Sequence, residues 1–111
     1  MLLAIDCGNT NTVFSIWNGK HFIAKWRIAT EHQRTADQYY VWLSTLMTAQ
    51  NVSANITDVV VATSVPRVVF NLRVLCDRYF RCRPLVLGKP KCRLPVEPRI
   101  DPGTRAGGDR L

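Results

Sequence analysis

At 111 residues, 47% of them hydrophobic, the chain has enough material for one domain with a core and too little for two. No apolar run approaches the ~20 residues of a membrane span, and no basic segment precedes the apolar start, so neither a transmembrane helix nor a signal peptide is indicated and a cytoplasmic location is expected. The net charge of +7 is uneven, with four basic and four acidic residues from Met1 to Pro66 against eleven and four from Arg67 to Leu111.

The first element is the run Leu2-Leu3-Ala4-Ile5, an apolar strand that ends in one carboxylate, Asp6. Cys7-Gly8-Asn9-Thr10-Asn11-Thr12 follows, and Val13 to Trp17 is strand-like again. Small polar residues at the tip of a hairpin suit a phosphate chain. Asp6 can hold Mg²⁺ directly or through water, Gly8 allows close backbone approach and positive φ, and Asn9 to Thr12 offer N–H and O–H donors. Gly, Asn and Thr are also ordinary turn residues, so on these residues alone both readings stand.

Asn18-Gly19-Lys20 is a strong hairpin signal, and a third strand follows from about His21 to Ile28. In it Phe22, Ala24 and Trp26 alternate with His21, Lys25 and Arg27, and Ile23 breaks the pattern. Ala29 to Arg34 reads as a polar loop. Thr35-Ala36-Asp37-Gln38 has the form of a capping box, which predicts a helix from about residue 36 to 49 with Tyr39, Leu43, Leu46 and Met47 on its apolar face and Asn51 as its stop. Tyr39 and Tyr40 read as core and rim.

Asp58 to Thr63 is a β-branched run that suits a central, parallel strand buried on both faces. Ser64-Val65-Pro66 turns into a second helix, with Pro66 in its first turn and Val68, Leu72, Leu75, Cys76 and Tyr79 as its buried stripe. Arg83 to Gly88 is one further short strand. The order βββαβαβ is that of an α/β domain of the ribonuclease-H-like, actin-type ATPase class, which by pattern gives a fold and no function.

Four cysteines, Cys7, Cys76, Cys82 and Cys92, contain no C-x-x-C pair and no histidine at zinc spacing, so reduced thiols are expected, with Cys7 packing in the turn. The basic residues Arg73, Arg78, Arg81, Arg83, Lys89, Lys91 and Arg93 are scattered and lack stacking aromatics. They fit a solvated face or attraction for a polyanionic nucleotide better than a nucleic-acid surface.

Taken together, four stretches resemble the type III pantothenate kinases. They are Asp6-Cys7-Gly8-Asn9-Thr10-Asn11-Thr12; Trp26-Arg27-Ile28 with Thr30, continuing to Thr35-Ala36-Asp37; Ser64-Val65-Pro66; and Gly107-Gly108-Asp109-Arg110. The resemblance covers the whole chain. It implies ATP-dependent phosphorylation of the primary hydroxyl of pantothenate to 4'-phosphopantothenate, with Mg²⁺ and a monovalent cation (K⁺ or NH₄⁺). Asp6 to Val13 would form the nucleotide phosphate loop with Asp6 at the metal, Gly107 to Arg110 would contact pantothenate, Asp109 would be the catalytic base, and Arg110 could pair with the substrate carboxylate. Arg105, Ala106 and Gly108 depart from the family pattern and make the substrate loop more basic and more flexible. The family continues past Arg110 into a second actin-like domain carrying the cation site and much of a homodimer interface, so residues 1–111 are expected to be the N-terminal nucleotide-binding domain, inactive alone. Weighed against this are another actin-like phosphotransferase and a basic nucleic-acid-binding module.

Overall fold

A strand as apolar as Leu2–Cys7 is stable in the middle of a sheet, where both of its edges are paired, and that is its place here. The computed structural model describes residues 1–88. Strands β1 (Leu2–Cys7), β2 (Asn11–Trp17) and β3 (Phe22–Ala29) are followed by helix α1 (Ala36–Ala49), β4 (Asp58–Thr63), helix α2 (Val69–Leu75) and β5 (Leu85–Gly88). They build one five-stranded mixed sheet in the order β3-β2-β1-β4-β5. The first three strands pair antiparallel, while β4 lies parallel to β1 and β5 parallel to β4.

The register sorts the side chains onto two faces. On one face Trp26, Phe14, Ile5, Val61 and Val86 form a row across the sheet, next to a row of Ala24, Ile16, Leu3 and Val59. Here α1 and α2 pack, burying Tyr39, Leu43, Leu72 and Leu75 in the same cluster. Phe14 meets Trp42 edge-on with ring centroids 5.2 Å apart. The other face carries Arg27, Val13, Asp6, Ala62 and Leu87 in one row and Lys25, Ser15, Ala4, Val60 and Leu85 in the next. Among the described residues no helix covers it: Val60 and Ala62 are half-buried, and Leu85 and Leu87 are exposed. The expectation that β4 is buried on both faces is therefore corrected. It is central and parallel, but its burial alternates.

The third strand explains its own irregularity. Trp17 pairs with Phe22 and Ile16 with Ala24, so Ile23 is an extra residue, a β-bulge. The bulge moves Phe22 off the Ala24 and Trp26 face, contrary to simple alternation. It is exposed against Trp17, with ring centroids 4.9 Å apart. In the preceding turn Gly19 takes φ 103°, and Asn18 Oδ1 accepts the amides of Lys20 and His21.

Helix α1 has the predicted bounds and both halves of its capping box. The Gln38 amide donates to Thr35 Oγ1 at 3.2 Å and the Thr35 amide to Gln38 Oε1 at 2.8 Å. Asn51 ends it in the left-handed region at φ 57°, with the Val52 amide returning to the Met47 carbonyl at 2.8 Å. The second helical run is less uniform than predicted. A 3-10 turn over Pro66–Val68 leads into α2, and a π-helical turn over Cys76–Phe80 follows before Arg81 stops it at φ 56°. Val68, Leu72, Leu75 and Cys76 are buried and Tyr79 is half-buried.

Candidate functional site at the head of the central strand

Strand β1 delivers its polar end to one edge of the sheet. The strands close as far as the Cys7 and Thr12 pair, so the tip itself is Gly8, Asn9, Thr10 and Asn11, with the Gly8 amide donating to the Asn11 carbonyl at 2.9 Å. Asn9, Thr10 and Asn11 are exposed, while Asp6, Gly8 and Val13 are half-buried. Asp6 stands on the uncovered face, and Arg27, exposed, lies in the same row beyond Val13.

Two of the predicted phosphate-loop residues point the other way. Cys7 and Thr12 are fully buried on the helix-covered face. The Thr12 hydroxyl lies 3.3 Å from Cys7 Sγ and 2.8 Å from Thr30 Oγ1, so it is engaged in the interior. Gly8 does not use positive φ; among the described glycines Gly19 does. A Cβ built on Gly8 would sit 3.5 Å from the Asn11 carbonyl oxygen, an ordinary contact. The packing of the described residues therefore does not require glycine there.

The register also brings in the other singled-out stretches. Thr63 pairs with Cys7, so the Ser64-Val65-Pro66 turn begins beside the hairpin tip. Thr63 Oγ1 accepts the Val65 amide at 2.8 Å, which fixes that turn locally. Thr30, just past β3, reaches the tip as well: its amide donates to the Thr10 carbonyl and its hydroxyl to the Gly8 carbonyl, each at 2.8 Å. The role of Thr30 has no local signal in the sequence, because its partners lie 18 and 22 residues away. Gly107, Gly108, Asp109 and Arg110 lie outside the described residues, as do Cys92, Arg105 and Ala106.

Asp37, in the first turn of α1, joins that helix to the π-helical turn. Tyr79 Oη and Arg78 Nη1 both donate to Asp37 Oδ1, the latter at 2.8 Å. Those bonds, from Tyr79 first and Arg78 second, hold the Asp37 carboxyl below its usual range. Burial pushes the Tyr39 hydroxyl up, and it pushes the Cys76 thiol up to about 12, with Cys82 beside it adding to the shift. Cys7, Cys76 and Cys82 are free thiols, and Cys76 is held in its neutral form.

Among the described residues no three His, Cys, Asp or Glu side chains gather to cage a metal, and no helix is long and apolar enough to cross a membrane. One half-buried carboxylate beside exposed amide side chains does suit Mg²⁺ that arrives with a nucleotide, since that ion takes one or two protein carboxylates and fills its shell from phosphate and water.

These features define a class: a mixed α/β domain whose central strand presents a carboxylate and a polar turn at the head of the sheet. Over residues 2–111 the sequence matches the family described as type III pantothenate kinase, and the chain belongs to that family. It is 69% identical to the type III pantothenate kinase of Cereibacter sphaeroides strain ATCC 17025, 69% to that of Dinoroseobacter shibae and 62% to that of Paracoccus denitrificans. Each match takes in all 111 residues of this chain and 43% of the relative, so the chain spans less than half the length of these relatives. Among solved structures, the Aquifex aeolicus member of the Ppx/GppA family shows a distant likeness at 15% identity and a TM-score of 0.39, over 78% of this chain and 34% of that one.

Proposed function

We propose that the chain is the N-terminal part of an enzyme that transfers a phosphoryl group from ATP to the primary hydroxyl of pantothenate, giving 4'-phosphopantothenate in the first step of coenzyme A biosynthesis. The observation that carries this reading is the family membership over residues 2–111, joined to the gathering of the Asp6–Thr12, Thr30 and Ser64–Pro66 stretches at one end of the sheet. Residues 1–111 then form a ribonuclease-H-like, actin-type domain. A second domain, with a site for K⁺ or NH₄⁺ and much of a homodimer interface, belongs to the remaining length that the relatives have.

In this reading Asp6 to Val13 take the nucleotide's phosphates. The side chains of Asn9, Thr10 and Asn11 and the backbone of the tip supply donors, while Cys7 and Thr12 support them from within. The room at Gly8 supports it further: a glycine that the packing of the described residues does not need is accounted for by a group approaching from outside. Asp6 would hold Mg²⁺, which when bound neutralises phosphate oxygens. Gly107 to Arg110 contact pantothenate, with Asp109 accepting the hydroxyl proton as the phosphoryl group arrives and Arg110 pairing with the carboxylate.

The test is ATP-dependent phosphorylation of pantothenate by the gene product at its full coding length, next to its Asp109→Asn variant. Loss of a general base lowers kcat about 10²- to 10⁴-fold. Equal rates for the two proteins would remove Asp109 as the base, and phosphorylation of a different alcohol with pantothenate inert would overturn the substrate. The 111-residue chain alone is expected to show no turnover.

A further inference from the structure

We infer that Thr30, backed by Thr12, is a positioning residue that presets the hairpin tip for phosphate; the inference rests on reading that tip as the nucleotide's phosphate site. Thr30 holds two carbonyls of the tip at once. Its amide donates to the carbonyl of Thr10 and its hydroxyl to the carbonyl of Gly8, both at 2.8 Å. A hydroxyl has one hydrogen, and that of Thr30 is committed to Gly8. The 2.8 Å contact between the two threonine oxygens is therefore donated by Thr12, whose single hydrogen goes to this short contact in preference to Cys7 Sγ at 3.3 Å. The result is a directed chain from Thr12 to Thr30 to the Gly8 carbonyl.

The consequence follows from peptide geometry. In a planar trans peptide the C=O of one residue and the N–H of the next point in opposite directions, and no described peptide bond is cis. Fastening the carbonyls of Gly8 and Thr10 toward Thr30 aims the N–H groups of Asn9 and Asn11 away from it. Two backbone dipoles, two residues apart, are thus set before any ligand arrives, an arrangement suited to an anion. Exposed turns otherwise exchange peptide orientations, and each reorientation would swap a donor for a carbonyl oxygen facing phosphate.

A purely structural role for Thr30 would change stability and leave nucleotide binding alone. A positioning role predicts a selective change in the KM for ATP. In the gene product at full coding length, Thr30→Val keeps the shape and removes the hydroxyl, and its KM for ATP is expected to rise up to about tenfold with the KM for pantothenate nearly unchanged. Thr30→Ser keeps the hydroxyl and is expected to restore near-normal values. Thr12→Val leaves Thr30 in place and removes the hydrogen donated to it, which gives an independent arm with a rise of about threefold. An unchanged KM for ATP in both valine variants, or a loss in Thr30→Ser as large as in Thr30→Val, overturns the inference while the phosphate reading survives. A parent protein that binds no ATP overturns both.

Discussion

Gly8 is the residue at which fold and function can be separated most cleanly. Its backbone is not in the left-handed region, and among the described residues an added Cβ would meet only an ordinary contact. Gly8→Ala is therefore expected to keep its melting temperature within ~2 °C of the parent, as surface changes without strain do. Under the proposed function the same methyl stands where phosphate approaches, and ATP binding should weaken by tenfold or more, about 1.4 kcal/mol. Titration calorimetry with ATP beside a thermal melt reads both, and equal affinity would leave the glycine unexplained. Asp37 gives a second residue-level test through pH. Its carboxyl titrates below the ordinary 3.8 because Tyr79 and Arg78 bond to the charged form. That contribution is complete above the ordinary value and is lost as pH falls through the lowered one. Tyr79 has the opposite sign: its hydroxyl is held above 10.0 by the same bond, so the contribution is present below that value and fades as pH rises through the raised one. Asp37→Asn should thus lower the melting temperature at neutral pH, with the gap to the parent closing in acid; a gap independent of pH would rule the pairing out.

At the level of elements, the helices differ in how well the sequence announces them. Helix α1 was legible to its last residue because its signals are local: a capping box at Thr35 and Gln38, an apolar spacing from Tyr39, and an asparagine able to enter the left-handed region. The π-helical turn after Leu75 was not legible, since its residues keep the same apolar spacing as an ordinary helix and the change lies in the backbone bonds. The bulge at Ile23 was visible only as a broken alternation, and which neighbour it displaced depended on the pairing with Trp17. Of the candidate site, Asp6 and the polar tip could be read directly. The inward turn of Thr12 and the grip of Thr30 could not, because both depend on strands meeting across many residues. The packing of α2 makes its own prediction. Leu72 is fully buried between sheet and helices, so Leu72→Ala should cost ~2–5 kcal/mol in denaturant unfolding, a large share of a small domain's stability. A cost under ~1 kcal/mol would mean that α2 does not hold the core.

For the molecule as a whole, the two faces of the sheet have different standing. One is closed by α1 and α2; the other, among the described residues, shows Asp6 and Arg27 at the site end and an apolar stretch of Ala4, Val60, Leu85 and Leu87 next to it. The polar site and the uncovered apolar surface are thus continuous. The excess of basic residues lies entirely after Pro66. The place of β1 between β2 and β4 also orders events in time. Its pairing with β2 needs only a short local hairpin, whereas its other edge meets Asp58 to Thr63, and the Met1 carbonyl accepts the amide of Thr57. A chain emerging from the ribosome can close the meander as soon as its first thirty or so residues are free. The other edge of β1 then stays bare through the synthesis of α1, until the arrival of β4 pairs it and extends the three-stranded meander.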